Sequence, residues 1–425
     1  MITVVLLIWI AMLLMGTPIY VSLGIASSLF IVLGDFSLLT VPQRVANAAN
    51  SFPLLAAPFF ILMGNVMNNS GVTRRMFNFA SVLVGWMRGG LGHANVVGSM
   101  FFAGMSGSAV ADAGGLGSIE IQAMREAGYE VDFAAAVTAS SAVIGPIIPP
   151  SLPMVIYAVL ANVSLGGLFL GGVIPGVLMG LALMALIAVY ARKRNYPKLP
   201  FPTAKALWTA FRESFWALMA PVILFWGITS GVFTPTEAAI VAAFYSILVG
   251  LFVYKEFSIK DLPRMIVMTI ETNGVVLALV MTAVLFGWTL AVAGVPQAMA
   301  KFLISFSGTP FVFIFIINVF LLFVGCFMEG NAAQMILVPI LAPIALVMGL
   351  DPIQFGVMVV FNLMVGTVTP PVGIVLFVTA NVAGISFERV LKATAPFLVP
   401  LFVVLILVSY CPPITTFLPG LVMGR

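Results

Sequence analysis

A few oxygen-bearing side chains interrupt stretches that are otherwise almost entirely apolar. One group lies in Ala103-Gly104-Met105-Ser106-Gly107-Ser108-Ala109-Val110-Ala111-Asp112, the other in Gly325-Cys326-Phe327-Met328-Glu329-Gly330-Asn331. Ionisable residues inside apolar segments are expensive and mark ion or substrate paths by default. Two further interruptions are built on proline: Gly145-Pro146-Ile147-Ile148-Pro149-Pro150-Ser151-Leu152-Pro153 and Gly366-Thr367-Val368-Thr369-Pro370-Pro371-Val372-Gly373. Each proline lacks an N–H, clashes with an upstream carbonyl and disfavours helix in the residue before it. The Pro-Pro pairs should therefore unwind a helix and leave carbonyl oxygens without partners. An alkali cation is a natural partner for such oxygens, while half-helix N-termini suit an anion. The implied chemistry is coordination and release rather than bond making.

The elements that position these residues must be membrane helices. The chain has 425 residues, 62% apolar and 8% charged, with a mean hydropathy of +1.19. A soluble domain is about 25% charged. Apolar runs of the roughly 20 residues that a span needs fill nearly the whole chain. The alternating ten-residue segments of a β-barrel are absent. The net charge of +4 concerns loop orientation; there is no basic face for nucleic acid. Cys326 and Cys411 make no metal spacing or disulfide framework, and His93 is the only histidine. A transition-metal site, a haem site and a Ser-His-Asp triad are poor fits, so no enzyme and no cofactor are expected. No Gly-Lys-Ser/Thr loop encodes an ATPase. The start, Met-Ile-Thr, has no basic n-region or small-residue cleavage site, so Ile2 to Leu33 is expected in the membrane and not as a removed signal.

The densest basic stretch, Arg192 to Lys198 followed by Lys205 and Arg212, lies near the middle. The positive-inside rule places it in the cytoplasm. Ala204–Phe215 suits an amphipathic helix lying at the interface; a plain linker is the other reading. On either side the chain repeats itself. At an offset of 221, Gly104, Gly145, Pro149, Pro150 and Pro175 pair with Gly325, Gly366, Pro370, Pro371 and Pro396. Ser108 pairs with Glu329. Transporters are commonly built from such repeats. The expected organisation is a first inverted repeat over 1–190, with scaffold helices to about 95. A basic cytoplasmic linker follows over 191–213. The second inverted repeat covers 214–425, with scaffold helices to about 310.

Each half then reads as scaffold helices, a re-entrant hairpin with a polar tip, a proline-broken helix and a last helix. Irregular backbone at membrane depth is tolerated only where protein or a water-filled cavity receives its polar groups. The bland readings are a small-residue packing face for the first tip and simple kinks for the prolines. Asp112 and Glu329 can also be carboxylates satisfied by helix N-terminal amides. Arg125 is chiefly a loop residue that could meet an anion. Glu237, after Thr234-Pro235-Thr236, is best read as a capping carboxylate.

These residues carry a resemblance. Ser51-Phe52-Pro53-Leu54, Pro58 to Gly64, Gly104-Met105-Ser106-Gly107-Ser108 with Asp112, Pro146 to Ser151, Gly231-Val232-Phe233-Thr234-Pro235-Thr236-Glu237-Ala238-Ala239 and Thr369-Pro370-Pro371 run in order nearly end to end. The chain resembles the large membrane (permease) subunit of tripartite ATP-independent periplasmic (TRAP) transporters. The resemblance implies an all-α polytopic protein of the bacterial inner membrane, with two inverted repeats and an elevator mechanism. It implies sodium-coupled uptake of an organic anion, such as a C4-dicarboxylate or sialic acid, delivered by a periplasmic substrate-binding protein. A separate small four-helix membrane subunit is the expected partner.

The expected sodium ligands come from Ser106, Ser108, Gly145, Ile148 and Pro149 in the first half, and from Gly325, Gly330, Gly366 and Thr369 in the second. Asp112, Glu329, Asn331, Arg125 and Thr367 are expected at the substrate or in coupling. Two other readings stay open at this stage: a sodium–dicarboxylate symporter that needs no partner, and an ion channel, since re-entrant loops also build filters.

Overall fold

The computed structural model describes residues 1–299, 301 and 309–424, with the side chains of all of these except Phe52 and residues 104–106. The described residues form helices joined by short turns and contain no strand. Among the described residues seven helices are long and apolar enough to cross a membrane, or up to eight if a bent pair near residue 50 counts as one span. Their starts follow local rules. Thr234 accepts from the Glu237 N–H while Glu237 accepts from the Thr234 N–H, a reciprocal capping box, so Glu237 is the capping carboxylate that its sequence context indicates. Asp351 accepts from the Ile353 and Gln354 amides, both at 2.9 Å, with Pro352 at the first helical position. Prolines 175, 221, 339, 343, 396 and 400 lie inside helices, as membrane helices allow where neighbours satisfy the freed carbonyls.

The middle of the chain differs from expectation. The basic stretch is non-helical only from Arg194 to Thr203, and the helix that follows, Ala204–Thr229, is long enough to be a span. The stretch expected as an interfacial helix or a plain linker is therefore the start of one continuous helix that is long and apolar enough for a span. Apolar residues continue from Phe215, and the next strong stop is Ser230-Gly231, where Gly231 takes φ +72°. The linker is tied to the base of the first hairpin. Gly89 N–H donates to Pro197 O at 3.2 Å and Leu199 N–H donates to Gly85 O at 2.9 Å. The Tyr129 hydroxyl donates to Pro197 O at 3.2 Å, and its ring stacks on Tyr196 at 4.6 Å. Burial pushes the Tyr129 phenol up to about 12.

Both hairpins are present. In the first, Gly90–Ser106 turns at Gly107 and Ser108 into Ala109–Gly114 and Leu116–Glu126. In the second, Pro310–Phe327 turns at Met328 and Glu329 into Gly330–Val347. Both broken helices are present too, as Val131–Ala142 with Leu152–Ala161 and as Pro352–Gly366 with Ile374–Ala383. The bonds Pro149-Pro150 and Pro370-Pro371, which occupy repeat-related positions, are both cis.

The halves interlock by exchange. The first segment of each broken helix packs on the first arm of its own hairpin, Val131–Ala142 on Gly90–Ser106 and Pro352–Gly366 on Pro310–Phe327. The second segment packs on the outer arm of the other hairpin: Leu152–Ala161 on Gly330–Val347, and Ile374–Ala383 on Ala109–Glu126. Buried polar side chains bridge each own-hairpin contact. Asn95 donates to Thr138 Oγ1 at 2.7 Å, and Ser141 donates to Asn95 Oδ1 at 2.7 Å. In the second half Asn362, the repeat partner of Ser141, donates to Asn318 Oδ1 at 2.7 Å, and Asn318 donates to Ser409 Oγ at 3.0 Å.

Candidate functional site

The two hairpin tips use the same device. Gly107 takes φ +58°, which a side chain would resist, and Ser108 is extended, so its hydroxyl accepts from the Ala111 N–H at 3.4 Å. Glu329 is also extended; its carboxylate accepts from the Ala332 N–H at 3.0 Å and from Asn331 Nδ2 at 2.8 Å. Donor and acceptor keep the repeat offset of 221 in both tips. Each oxygen satisfies an amide that the start of a helix leaves without an intrahelical partner.

Each tip rests on the break in its own repeat, at a backbone distance that glycine permits. A Cβ on Gly107 would stand 3.1 Å from Pro150 O and 3.2 Å from Leu152 N. A Cβ on Gly145 would run into the Asp112 carboxylate. In the second half, a Cβ on Gly366 would stand 2.7 Å from the Gly325 Cα. Gly373 N–H donates to Cys326 O at 3.1 Å, binding that tip to the far side of its break. Inside the breaks, Ser151 donates to Pro146 O and accepts from the Met154 N–H, restarting the helix. Thr367 Oγ1 donates to Met364 O at 2.6 Å, and Thr369 Oγ1 donates to Val365 O at 2.8 Å.

The tips and breaks of both halves meet around one narrow cavity. Ser108 and Val110 from the first tip, Pro146 and Pro153 from the first break, Glu329 and Asn331 from the second tip, and Met364, Thr367 and Ile374 from the second broken helix all line it. Its volume, about 20 Å³, admits about one water. Organic ligands need about 300 Å³ or more, so this conformation is closed on such a molecule.

Of the residues expected to act, Ser108, Glu329, Asn331 and Thr367 come together here. Asp112 does not line the cavity; it is 2% exposed and lies behind the first tip against Gly145. Gly145, Gly325 and Gly366 lie at the tip-to-break contacts. A Cβ on Gly330 would meet Met364. Ile148 and Pro149 line a different, apolar cavity against Pro221, Phe225 and Trp226. Thr369 is turned to the carbonyl of its own helix. Arg125 is exposed and lines a third cavity at the base of the first hairpin. The side chain of Ser106 lies outside the described residues. Among the described residues no group of histidine, cysteine and acid side chains could hold a metal ion together; the oxygens at the tips and breaks are hard donors that suit an alkali cation.

Sequence reasoning passed over Val110, Met364 and Ile374 as cavity lining, and it missed the buried asparagine bridges. Two of the asparagines had a signal: Asn318 and Asn362 each stand alone inside an apolar run, whereas Asn95 lies between His93 and Ser99. The apolar lining had none, because nothing distinguishes those residues from lipid-facing ones.

Comparison with known proteins bears on this geometry. Residues 6–414 match the family described as "Tripartite ATP-independent periplasmic transporter, DctM component". The sialic acid TRAP transporter permease protein SiaT of Haemophilus influenzae is 45% identical over 99% of this chain and 68% of its own length. The sialic acid TRAP transporter large permease protein SiaM of Vibrio cholerae is 43% identical over 98% of each chain. The crystal structure of the Alcanivorax borkumensis YdaH transporter, reported as having an unusual topology, superposes with a TM-score of 0.61 at 13% identity, covering 87% of this chain and 86% of that one. That likeness concerns the fold alone.

Proposed function

This chain belongs to the family of DctM components of tripartite ATP-independent periplasmic transporters, and from that premise we propose that it carries an organic anion into the cytoplasm, driven by sodium. The observation that carries the reading is the convergence of both tips and both breaks on one cavity. A transporter needs a site that two gates can expose in turn, and two repeat-related hairpins supply those gates. The first sodium ion would sit between Ser106, Ser108 and the carbonyls of Gly145, Ile148 and Pro149. The second would sit among Gly325, Gly330, Gly366 and Thr369. Asn331 and Thr367 would meet the substrate, Glu329 would act in coupling at the second tip, and Asp112 would couple the first tip to its break.

The anion would be sialic acid, the substrate in the names of the two relatives above, or a C4-dicarboxylate or similar carboxylate. A periplasmic binding protein would deliver it, and a small membrane subunit would complete the complex in the bacterial inner membrane. The hairpins and broken helices would travel together against the scaffold helices, an elevator motion, with the hairpins yielding as gates. Uptake of labelled anion is the test, in proteoliposomes holding this chain, its small subunit and their binding protein. Uptake should require sodium; equal uptake with choline in its place would overturn the coupling.

A further inference from the structure

The cavity that holds Arg125 lies on the same seam as the tip cavity. One wall is the outer arm of the first hairpin and the other is the second segment of the second broken helix. At the tip end they contribute Val110 and Ile374. Midway, a Cβ on Gly114 would touch Val378 at 3.7 Å. At the base Ser118, Gln122 and Arg125 face Val382 and Ala383 across a cavity of about 650 Å³, large enough for a small organic anion. Ile374 and Val382 are eight residues apart, so about 12 Å of helix separates the two cavities.

Three observations give the seam a chemistry. Ser118, Gln122 and Arg125 are all exposed and recur at helical spacing, forming a polar stripe in a chain with 8% charged residues. The fold does not require that stripe: at the repeat offset the second hairpin carries Pro339, Pro343 and Leu346, on an arm that is two-thirds buried. Arg125 also has no ion-pair partner among the described residues, like most of the basic side chains. One acid, Glu126, lines the same cavity and accepts from Gln122 Nε2 at 2.9 Å.

We propose that this seam is the inner exit path of the carrier and that Arg125 is the cation that receives a departing carboxylate at its mouth. The inference rests on the transport reading above. The linker contacts at the hairpin base put the mouth on the cytoplasmic side.

The test uses the assembled complex in inside-out vesicles, with Gln122→Cys introduced and the two native cysteines replaced by serine. Its probes are methanethiosulfonates carrying a negative or a positive charge, so neither sodium nor substrate is needed and the result is separable from the coupling test. Modification should occur from the cytoplasmic face and favour the anionic probe. Neighbours at i, i+3 lie about 5–6 Å apart, so Arg125→Ala should lower that preference about threefold or more. Arg125→Lys should preserve it and should preserve uptake, which Arg125→Ala slows. Ser118→Cys gives the same reading if Gln122→Cys fails to assemble. Thiols that react only from the periplasmic face, or a charge preference indifferent to Arg125→Ala, would overturn the proposal.

Discussion

Ser108 and Glu329 stand 221 residues apart and hold the same structural post. Each is the extended residue at a hairpin tip, and each accepts from the N–H three residues on, Ala111 at 3.4 Å and Ala332 at 3.0 Å. One is a neutral hydroxyl and the other a carboxylate, so the repeat preserves the cap and varies the charge. Both line the shared cavity.

Removing the first cap should weaken the tip without dismantling the fold. Ser108→Ala is expected to cost about 1 kcal/mol of local helix stability and to raise the sodium concentration needed for half-maximal uptake. Ser108→Thr should restore both, as its hydroxyl can cap. Glu329→Gln keeps an acceptor for Ala332 and loses the charge, so it should fold normally and change uptake. Sodium-titrated uptake, with thermal unfolding in detergent alongside, checks all three. Wild-type uptake by Ser108→Ala would remove the hydroxyl from the site.

The glycine contacts make a steric prediction. Gly366→Ala puts a methyl group 2.7 Å from the Gly325 Cα, where only backbone can yield. Overpacking of this kind costs about 1–3 kcal/mol and should separate the second tip from its break, abolishing uptake. Gly274→Ala, also in a helix but with no atom within 4 Å of its Cβ, is the control and should leave uptake unchanged. Equal uptake by the two variants would contradict the close tip-to-break contact.

Much of this architecture is legible in the sequence, for a physical reason. Proline and glycine act on the backbone directly, so Pro149-Pro150, Pro370-Pro371, Gly107 and Gly366 announce breaks and close approaches wherever they fall. The same holds for Ser108 and Glu329, whose polar atoms must find partners in an apolar run. What the sequence could not show is direction. Asp112 and Arg125 were grouped with the cavity by charge, yet one packs behind the tip and the other stands at the hairpin base. Their directions depend on how the two halves exchange outer arms, and no local pattern encodes that exchange. The helix from Ala204 shows another limit: its charged first turns resemble a surface helix, and only its continuation to Thr229 makes it long enough for a span.

The buried asparagine bridge should matter for stability more than for transport chemistry. Asn362 donates twice to Asn318, to its backbone O at 3.0 Å and to its side-chain Oδ1 at 2.7 Å. Asn362→Ala removes both donors and should cost about 1–3 kcal/mol, read as a lower unfolding temperature. Asn381→Ala, at an exposed position, should have no effect. An unchanged unfolding temperature for Asn362→Ala would show that the bridge contributes nothing.

Tyr129 predicts a pH dependence at the hairpin base. Burial raises its phenol from the ordinary value of 10 to about 12, so the neutral form is the one that the fold favours. The stabilisation it contributes is complete below pH 10 and is lost as pH rises toward about 12. Other tyrosines are buried too, so the reading is a difference: the tyrosinate absorbance of the wild type minus that of Tyr129→Phe should rise toward about pH 12 rather than near pH 10. A difference centred near pH 10 would contradict a raised phenol at Tyr129.

The central claim is that the two tips form one site. Its most direct measurement is substrate protection of single cysteines placed at Ser108 and at Asn331, one on each tip, with Cys326 and Cys411 replaced by serine. The variants would be assayed in the reconstituted complex with sodium and the anion that the binding protein delivers. Both cysteines should lose reactivity over the same range of anion concentration. Protection of one tip alone, or of the two over clearly different ranges, would contradict a shared site.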